Sequence, residues 1–135
     1  MNAPAPATGA EGAAPAARLP VLKKRREFLA AARARRQHAE SLILQARRRA
    51  EGEMEGQGPR IGYTCSKKVG NAVARNRAKR RLRAAAAAVL REAGREGWDY
   101  VLIGREGATA ARPFPLLLED LRGALARIHA PKARA

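Results

Sequence analysis

Hydrophobic residues near the C-terminus recur at the spacing of one helix face. Three leucines and an isoleucine follow one another at intervals of four, four and three residues: Leu117, Leu121, Leu125 and Ile128. Residues three and four apart lie on the same side of a helix, and proline is tolerated in a first helical turn. The pattern therefore predicts a helix that begins at about Pro113 and packs this stripe on the core.

A longer helical pattern occupies the middle of the chain. One side of its helical wheel carries small and aliphatic residues: Ala78, Leu82, Ala86, Val89 and Ala93. The other side carries polar and charged residues: Asn76, Arg77, Arg80 and Arg81. Gly70 and Asn71 supply a turn and an N-cap before this segment, and Gly94 supplies a stop. The pattern predicts an amphipathic helix of more than 20 residues that ends near Ala93.

Two segments before this helix have the alternation of strands. Ser41 to Arg47 places Leu42 and Leu44 on one side, and Arg60 to Cys65 follows as a second strand. The link from Glu51 to Pro59 is rich in glycine, which is typical of a turn between paired strands. These features predict a hairpin.

The remaining apolar positions predict a first helix and a buried strand. Leu22 to about Arg36 is predicted to be helical, because Leu22 and Leu29 share one side and Pro20 lies just before the start. Asp99 to Gly104 contains a nearly continuous apolar run, which is typical of a strand covered on both faces. The order helix, strand, strand, helix, strand, helix predicts an α+β fold in which helices pack on a small sheet.

Composition limits this fold to one domain. The 135 residues, 46% of them hydrophobic, suffice for a single modest core. Residues 1–17 contain mostly Ala, Pro, Gly and Thr, too few large apolar groups to offset the entropy of ordering, so a disordered tail is predicted there. The folded domain is predicted to cover residues 18–129, and residues 130–135 are predicted to be a flexible C-terminal tail.

The charge narrows the class of partner. The chain has 28 Lys and Arg against 12 Asp and Glu, a net charge of +16 that favours nucleic acid or an anionic membrane as partner. Arginine far outnumbers lysine and can grip phosphate bidentately and stack on bases, which leans toward RNA. A single cysteine, Cys65, allows no internal disulfide. With no apolar run of about 20 residues and no signal-peptide pattern, a cytoplasmic protein without a membrane partner is predicted. Because the arginine content leans toward RNA, no DNA partner is expected.

The charge is densest at the start of the long helix. Six of the nine residues from Arg75 to Arg83 are basic: Arg75, Arg77, Lys79, Arg80, Arg81 and Arg83. Like charges at helical neighbour spacings destabilise a helix mildly, and cations near its N-terminus oppose the macrodipole. A helix selected only for stability would avoid this arrangement, so we interpret the cluster as a binding surface. Lys67 and Lys68 add two cations to the connection before it.

The segment from Ser66 to Arg83 resembles the signature of the bacterial ribonuclease P protein subunit. Its sequence is Ser-Lys-Lys-Val-Gly-Asn-Ala-Val-Ala-Arg-Asn-Arg-Ala-Lys-Arg-Arg-Leu-Arg, with Arg75-Asn76-Arg77 as the central element. The residues from Leu22 to Phe28, Arg60 to Thr64 and Asp99 to Ile103 also resemble the family. The resemblance covers about residues 18–128.

This resemblance implies a function. In that enzyme a large RNA carries out the Mg2+-dependent hydrolysis that frees the mature 5′ end of tRNA from its precursor, and the protein assists. The implied partners are therefore the catalytic RNA and precursor tRNA, the implied cofactor is Mg2+ held mainly by the RNA, and no catalytic or metal-binding residue is expected on the protein. The family fold also implies a left-handed crossover between parallel strands, against the usual right-handed rule.

The resemblance further implies two sets of binding residues. Contacts to the catalytic RNA would come from nine positions: Lys67, Lys68, Arg75, Asn76, Arg77, Lys79, Arg80, Arg81 and Arg83. The 5′ leader of the precursor would lie in a cleft between the sheet and the first helix, at Phe28, Arg25 and Tyr63. A stacked base would contribute about 1–3 kcal/mol, although an aromatic residue at position 28 could equally be part of the core.

Three positions depart from the family pattern. Ala32 and Gln45 stand where aromatic residues are common, so leader contacts would be fewer or would depend more on arginine. Cys65 replaces a small aliphatic residue and is interpreted as a packed hydrophobic residue.

The chain offers little support for a self-sufficient nuclease. Its one acidic cluster, Glu51, Glu53 and Glu55, lies in the glycine-rich link and is interpreted as a solvated loop. His38 and His129 are predicted at the surface, and Trp98 at the edge of the core. A structural, ribosome-associated RNA-binding protein is the alternative left open, whereas a DNA-binding basic helix would need a dimerising heptad or a second recognition helix.

Overall fold

The computed structural model of this chain describes residues 19–50 and 58–130. The elements run in the order α1 (Arg25–Ala32), β1 (Arg35–His38), β2 (Leu42–Arg48), β3 (Arg60–Thr64), a one-turn 3-10 helix (Lys67–Val69), α2 (Ala72–Ala93), β4 (Trp98–Gly104), α3 (Ala108–Ala111) and α4 (Phe114–His129). The predicted α+β class is confirmed. The tail predicted for residues 1–17 lies outside the described residues, as do Glu51, Glu53 and Glu55; of the predicted C-terminal tail only Ala130 is described.

The four strands form one mixed sheet in the order β1-β2-β4-β3. β2 is antiparallel to both β1 and β4, whereas β3 runs parallel to β4. The connection between these parallel strands is the long helix α2, so the crossover unit implied by the family resemblance is present, while its handedness remains a prediction. The interior position predicted for β4 is confirmed, because Tyr100, Val101 and Leu102 are each at most 1% exposed.

The hairpin predicted between β2 and β3 is wrong. β4 lies between these strands, and β2 forms its hairpin with β1 instead, where the Ala39 N–H donates to the Leu42 carbonyl at 2.8 Å. The outer edge of β3 is covered by the chain before α1, since the Leu22 N–H donates to the Ile61 carbonyl at 2.8 Å. Alternation predicts strands but not their neighbours. A strand that is buried on both faces needs a partner strand along each edge for its backbone N–H and C=O groups, and β2 and β3 are those partners of β4.

The first helix is shorter than the predicted Leu22 to Arg36. Leu22 is extended and only 3% exposed, and residues 35–38 form strand β1, in which Arg35 pairs with Ala46 and Gln37 with Leu44. The alanine and arginine content of this segment favours helix, but pairing with β2 overrides that weak preference.

The core lies mainly on one face of the sheet. Helices α2 and α4 cover that face with the side chains predicted from the helical stripes, among them the fully buried Leu82, Leu117 and Leu121. The shorter helix α1 covers part of the other face, where Leu22, Ala31 and Val101 form a small cluster with Phe28 and Ile103. One face of the sheet is thus committed to the core, and the other is only partly covered.

Candidate RNA interface

The start of α2 is fixed by short-range hydrogen bonds in the segment before it. The Lys68 N–H donates to Ser66 Oγ at 3.2 Å, and the Ala74 N–H donates to Asn71 Oδ1 at 2.9 Å. Between them Gly70 has a φ of +143°, and a Cβ there would approach the Ala74 Cβ to 2.7 Å. The predicted turn and N-cap are confirmed, and they set the direction in which α2 leaves the sheet.

The structure brings together the nine positions predicted to contact the catalytic RNA. Six of them are exposed: Lys67, Lys68, Asn76, Arg77, Arg80 and Arg83. Three are half-buried: Arg75, Lys79 and Arg81. The first turn of α2 contains no acidic residue, and within the described ranges none of these cations forms an ion pair. We call these nine residues the α2 basic surface; its charge has no carboxylate to neutralise it within the described fold.

Arg81 differs from its neighbours because the protein itself engages its guanidinium. Its Nε donates to the Thr109 carbonyl at 3.0 Å, and its Nη2 donates to the Arg112 carbonyl. The guanidinium also lies 5.8 Å from the centre of the Phe114 ring, a cation–π distance. Arg81 therefore ties α2 to the short helix α3 and to the start of α4, and the RNA contact predicted for it remains a prediction.

Tyr63 does not lie beside Phe28. The two residues are on opposite faces of the sheet, because Tyr63 packs against the main core while Phe28 lies in the small cluster under α1. The Arg83 guanidinium is 5.5 Å from the centre of the Tyr63 ring. Burial raises the pKa of Tyr63 to about 12, against a smaller opposing effect of Arg83. Tyr63 thus supports the α2 basic surface and does not line the cleft predicted for the leader.

The cleft side of the sheet is built around a close approach of α1 to β3. Phe28 lies over Gly62, where a Cβ would come within 2.5 Å of Phe28 Cε1. Arg25 is exposed at the start of α1, and Phe28 is half-buried. Ala32 is exposed and Gln45 is 3% exposed, so neither offers an aromatic surface in this region.

A buried carboxylate determines where α1 sits. Asp99 is fully buried and forms a bidentate pair with Arg60, whose Nε and Nη2 donate at 2.8 and 2.7 Å, while Arg49 Nη1 donates at 2.6 Å. Arg47 lies 3.7 Å from the same carboxylate. We call this group the Asp99 cluster. The hydrogen bonds of Arg60 to Asp99 raise the pKa of this guanidinium, so it stays charged.

Arg60 extends the Asp99 cluster to the first helix. Its Nη1 donates to Glu27 Oε2 at 2.8 Å, and Glu27 Oε1 accepts the N–H groups of Lys23 and Lys24 at 3.1 and 3.0 Å. Burial acts to raise the pKa of Glu27, but these hydrogen bonds outweigh it and the net pKa is lowered. The chain of contacts fixes the start of α1 immediately before Phe28.

Comparison with known proteins shows the family. The family model described as Ribonuclease P matches residues 17–129. The ribonuclease P protein component of Ruegeria pomeroyi is 68% identical over 112 residues, covering 83% of this chain and 88% of that protein. The corresponding protein of Paramagnetospirillum magneticum is 51% identical over 116 residues, with coverage of 85% and 86%. The chain belongs to the ribonuclease P protein family.

Solved structures agree with this assignment. The ribonuclease P protein of Thermotoga maritima superposes with a TM-score of 0.66 at 26% identity, covering 81% of this chain and 97% of that one. The protein of Staphylococcus aureus has a TM-score of 0.64 at 22% identity, covering 84% and 100%, and this likeness shows the fold. As a member of the family, the chain is a protein subunit of ribonuclease P and has the ribonuclease P RNA as a partner.

The burial predicted for three ring side chains agrees with the structure for two of them and not for the third. The prediction of a surface position for His129 is wrong: it is half-buried, 2.8 Å from the Tyr100 hydroxyl, with its ring 4.5 Å from that of Trp98. His129 lies four residues after Leu125, and this spacing on the apolar stripe could have revealed its burial. His38 is exposed as predicted, and Trp98 packs at the edge of the core.

Three acidic residues of the described fold are engaged by arginine. Asp99 and Glu27 pair with Arg60, and Asp120 pairs with Arg112 at 2.9 Å. In the described ranges no group of three His, Cys, Asp or Glu residues is close enough to hold a metal ion. Cys65 packs against the main core, as predicted, and burial raises the pKa of its thiol. No helix in the described part of the chain is long and apolar enough to cross a membrane.

Proposed function

We propose that this protein docks its α2 basic surface on the catalytic RNA of ribonuclease P and assists removal of the 5′ leader from precursor tRNA. The observation that carries this proposal is the group of exposed cations on α2, including Arg77 and Arg80, without a carboxylate partner in the described fold. Such cations can replace the counterions of an RNA backbone.

The chemistry of cleavage is assigned to the RNA in this proposal. Mg2+ bound mainly by the RNA would supply the activated water and the charge stabilisation needed for phosphodiester hydrolysis. The protein's own carboxylates at Asp99, Glu27 and Asp120 are occupied in arginine pairs that position helices. The protein would therefore contribute binding and orientation, in the cytoplasm where its RNA partners are processed.

The partly covered face of the sheet is the proposed place of the 5′ leader. Phe28 offers a half-buried aromatic ring there, and the exposed Arg25 lies on the same helix. Arg60 and Glu27 fix this helix at the distance from β3 at which the Phe28 ring covers Gly62. With no aromatic residue at positions 32 and 45, we expect leader binding to depend on Phe28 and on cations such as Arg25.

Reconstitution tests the proposal. The catalytic RNA that pairs with this protein is assayed on precursor tRNA at low Mg2+, with and without the protein. We expect the protein to raise the cleavage rate strongly and to give no cleavage without the RNA. Equal rates with and without the protein would contradict the proposal and favour a structural RNA-binding role.

Substrates with a full leader and with a one-nucleotide leader test the cleft. Phe28→Ala should weaken binding of the full-leader precursor roughly five- to a hundredfold, the loss of one stacked base, and leave the short-leader precursor unaffected. Leu29→Ala, at a neighbouring position that is 41% exposed, serves as the matched control. An equal loss on both substrates would show that Phe28 acts through the fold alone.

A further inference from the structure

A pocket lies where the C-terminal ends of α2 and α4 meet, away from the α2 basic surface. Its volume is about 490 Å³, and its lining includes Arg95, Arg122, Leu125 and His129. This volume falls within the range of small-molecule pockets, about 300–1,000 Å³. At the helical rise of about 1.5 Å per residue, the end of α2 at Ala93 lies roughly 24 Å along the helix from Arg77 and roughly 15 Å from Arg83. The pocket is therefore separate from the interface described above.

The two arginines of the pocket have no carboxylate partner in the described ranges. Arg95 follows the last turn of α2 and Arg122 lies on α4, and neither forms an ion pair there. Both side chains are exposed. They differ in this from Arg49 and Arg60, whose charges the fold neutralises. Unpaired guanidinium groups in the lining of one pocket are suited to a phosphate group.

The helix ends oppose an anion, but the arginines outweigh them. Each helix C-terminus carries about half a negative elementary charge, so the two helix ends together carry about one negative charge. Arg95 and Arg122 line the pocket, and Arg35 is close by, donating to the Ile128 carbonyl at 2.8 Å. Helix-end carbonyls also lack intrahelical donors. A ligand with a phosphate group would pair with the arginines, and N–H or O–H donors on the same ligand would bond to the helix-end carbonyls.

His129 adds a polar group to this environment. The Tyr100 hydroxyl accepts the Arg95 N–H at 2.9 Å, so its own proton can be donated to His129 Nε2 at 2.8 Å. That arrangement places the ring proton on Nδ1, which is buried without a hydrogen-bond partner in the described residues. Burial, with Arg95 and Arg35 nearby, lowers the pKa of His129 to about 4, so the ring is neutral.

We propose that this pocket binds one nucleotide of RNA. Its phosphate would lie between Arg95 and Arg122, its ribose or base would donate to helix-end carbonyls, and its base would lie on the apolar wall that includes Leu125. This inference rests on the proposed function in one respect, that the partner is RNA. The protein would then hold the RNA at two places, one at each end of α2.

Variants that remove equal charge from the same two helices test the pocket. R95Q/R122Q removes the lining arginines, whereas R91Q/R127Q removes two exposed arginines of α2 and α4 that do not line it. Affinity for the ribonuclease P RNA is measured at fixed salt. We expect R95Q/R122Q to lose on the order of tenfold or more, as expected for lost hydrogen bonds to a charged group, and R91Q/R127Q to lose much less.

Adenosine 5′-monophosphate, adenosine and inorganic phosphate are also titrated into the free protein. Trp98, the single tryptophan, lies 4.5 Å from the His129 ring and supplies a fluorescence signal. We expect saturable binding of the monophosphate, weaker binding of adenosine, and no binding of the monophosphate to R95Q/R122Q. These results would support the pocket even if the RNA-affinity measurements contradicted the proposed function. Equal losses for the two double variants in the RNA arm would overturn RNA as occupant, and an additional lack of monophosphate binding would overturn the pocket itself.

Discussion

Arginine has opposite roles in the Asp99 cluster and in the α2 basic surface. In the Asp99 cluster, Arg49 and Arg60 donate to a fully buried carboxylate at 2.6 to 2.8 Å. On the α2 basic surface, Arg77 and Arg80 are exposed and have no carboxylate partner in the described fold. The same side chain stabilises the fold in one region and leaves its charge available for a partner in the other.

The difference lies in what surrounds each guanidinium. A buried charge is strongly unfavourable unless it is paired, so loss of one partner in the Asp99 cluster should be costly. An exposed arginine costs the fold little either to keep or to remove. Net charge alone therefore overstates the surface available to RNA, because arginines that are paired within the fold do not contribute to that surface.

Removing the carboxylate of the Asp99 cluster should have the largest effect on stability. Asp99→Ala leaves Arg49 and Arg60 without their buried partner and should lower the free energy of unfolding by about 3–5 kcal/mol. Urea denaturation measures the change. Glu119→Ala, at an exposed acid without an ion pair in the described ranges, should change it by less than about 0.5 kcal/mol. Similar values for the two variants would contradict a structural role for Asp99.

Arg81 and Arg80 compare the two roles at adjacent positions of α2. Arg81→Ala removes donors to the Thr109 and Arg112 carbonyls and should lower the free energy of unfolding by about 1–2 kcal/mol. Arg80→Ala should change stability by less than about 0.5 kcal/mol but weaken RNA binding more than Arg81→Ala does. Thermal or urea unfolding measures the stability of each variant, and a titration measures its affinity for RNA. If Arg80→Ala lost more stability and Arg81→Ala lost more RNA affinity, the roles assigned to the two residues would be contradicted.

His129 provides a smaller, pH-dependent test of a group that the fold keeps neutral. Its folded pKa of about 4 lies below its ordinary value of 6.5, so the unfolded chain binds more protons between these values. Stability from this group is present above pH 6.5 and is lost as pH falls toward 4. Denaturation is measured between pH 6.5 and 5, a range that lies above the lowered pKa of Glu27, so that this carboxyl group stays ionised in the folded protein. His129→Gln should flatten the dependence of the free energy of unfolding on pH, whereas His38→Gln, at an exposed position, serves as the control. Equal pH profiles for the two variants would contradict the role assigned to His129.

The local patterns of this chain predicted most of the elements. The leucine stripe placed α4, and Asn71 with Gly94 placed both ends of α2, because N-caps, helix stops and helical spacing are properties of neighbouring residues. The buried position of β4 followed from its apolar run. The family motif around Arg75-Asn76-Arg77 placed the α2 basic surface.

Features that depend on distant contacts were beyond the sequence patterns. Strand β1 exists because Arg35 and Gln37 pair with β2, and β2 and β3 are separated because β4 lies between them. The Asp99 cluster and its contact with α1 join residues up to 72 positions apart, from Glu27 to Asp99 through Arg60. Arg81 also could not be distinguished from Arg80 by residue type, since its partners are carbonyls 28 and 31 residues away.

The most direct measurement is the salt dependence of binding between this protein and the ribonuclease P RNA. Wild type, Arg77→Ala and the control Arg91→Ala, farther along α2, are compared at several salt concentrations. We predict that Arg77→Ala weakens binding and lowers the log–log salt slope by roughly one, the release expected for one lost phosphate contact, while its stability and the Arg91→Ala slope stay near wild type. An Arg77→Ala protein with unchanged affinity and slope would contradict the claim that the α2 basic surface docks on the RNA.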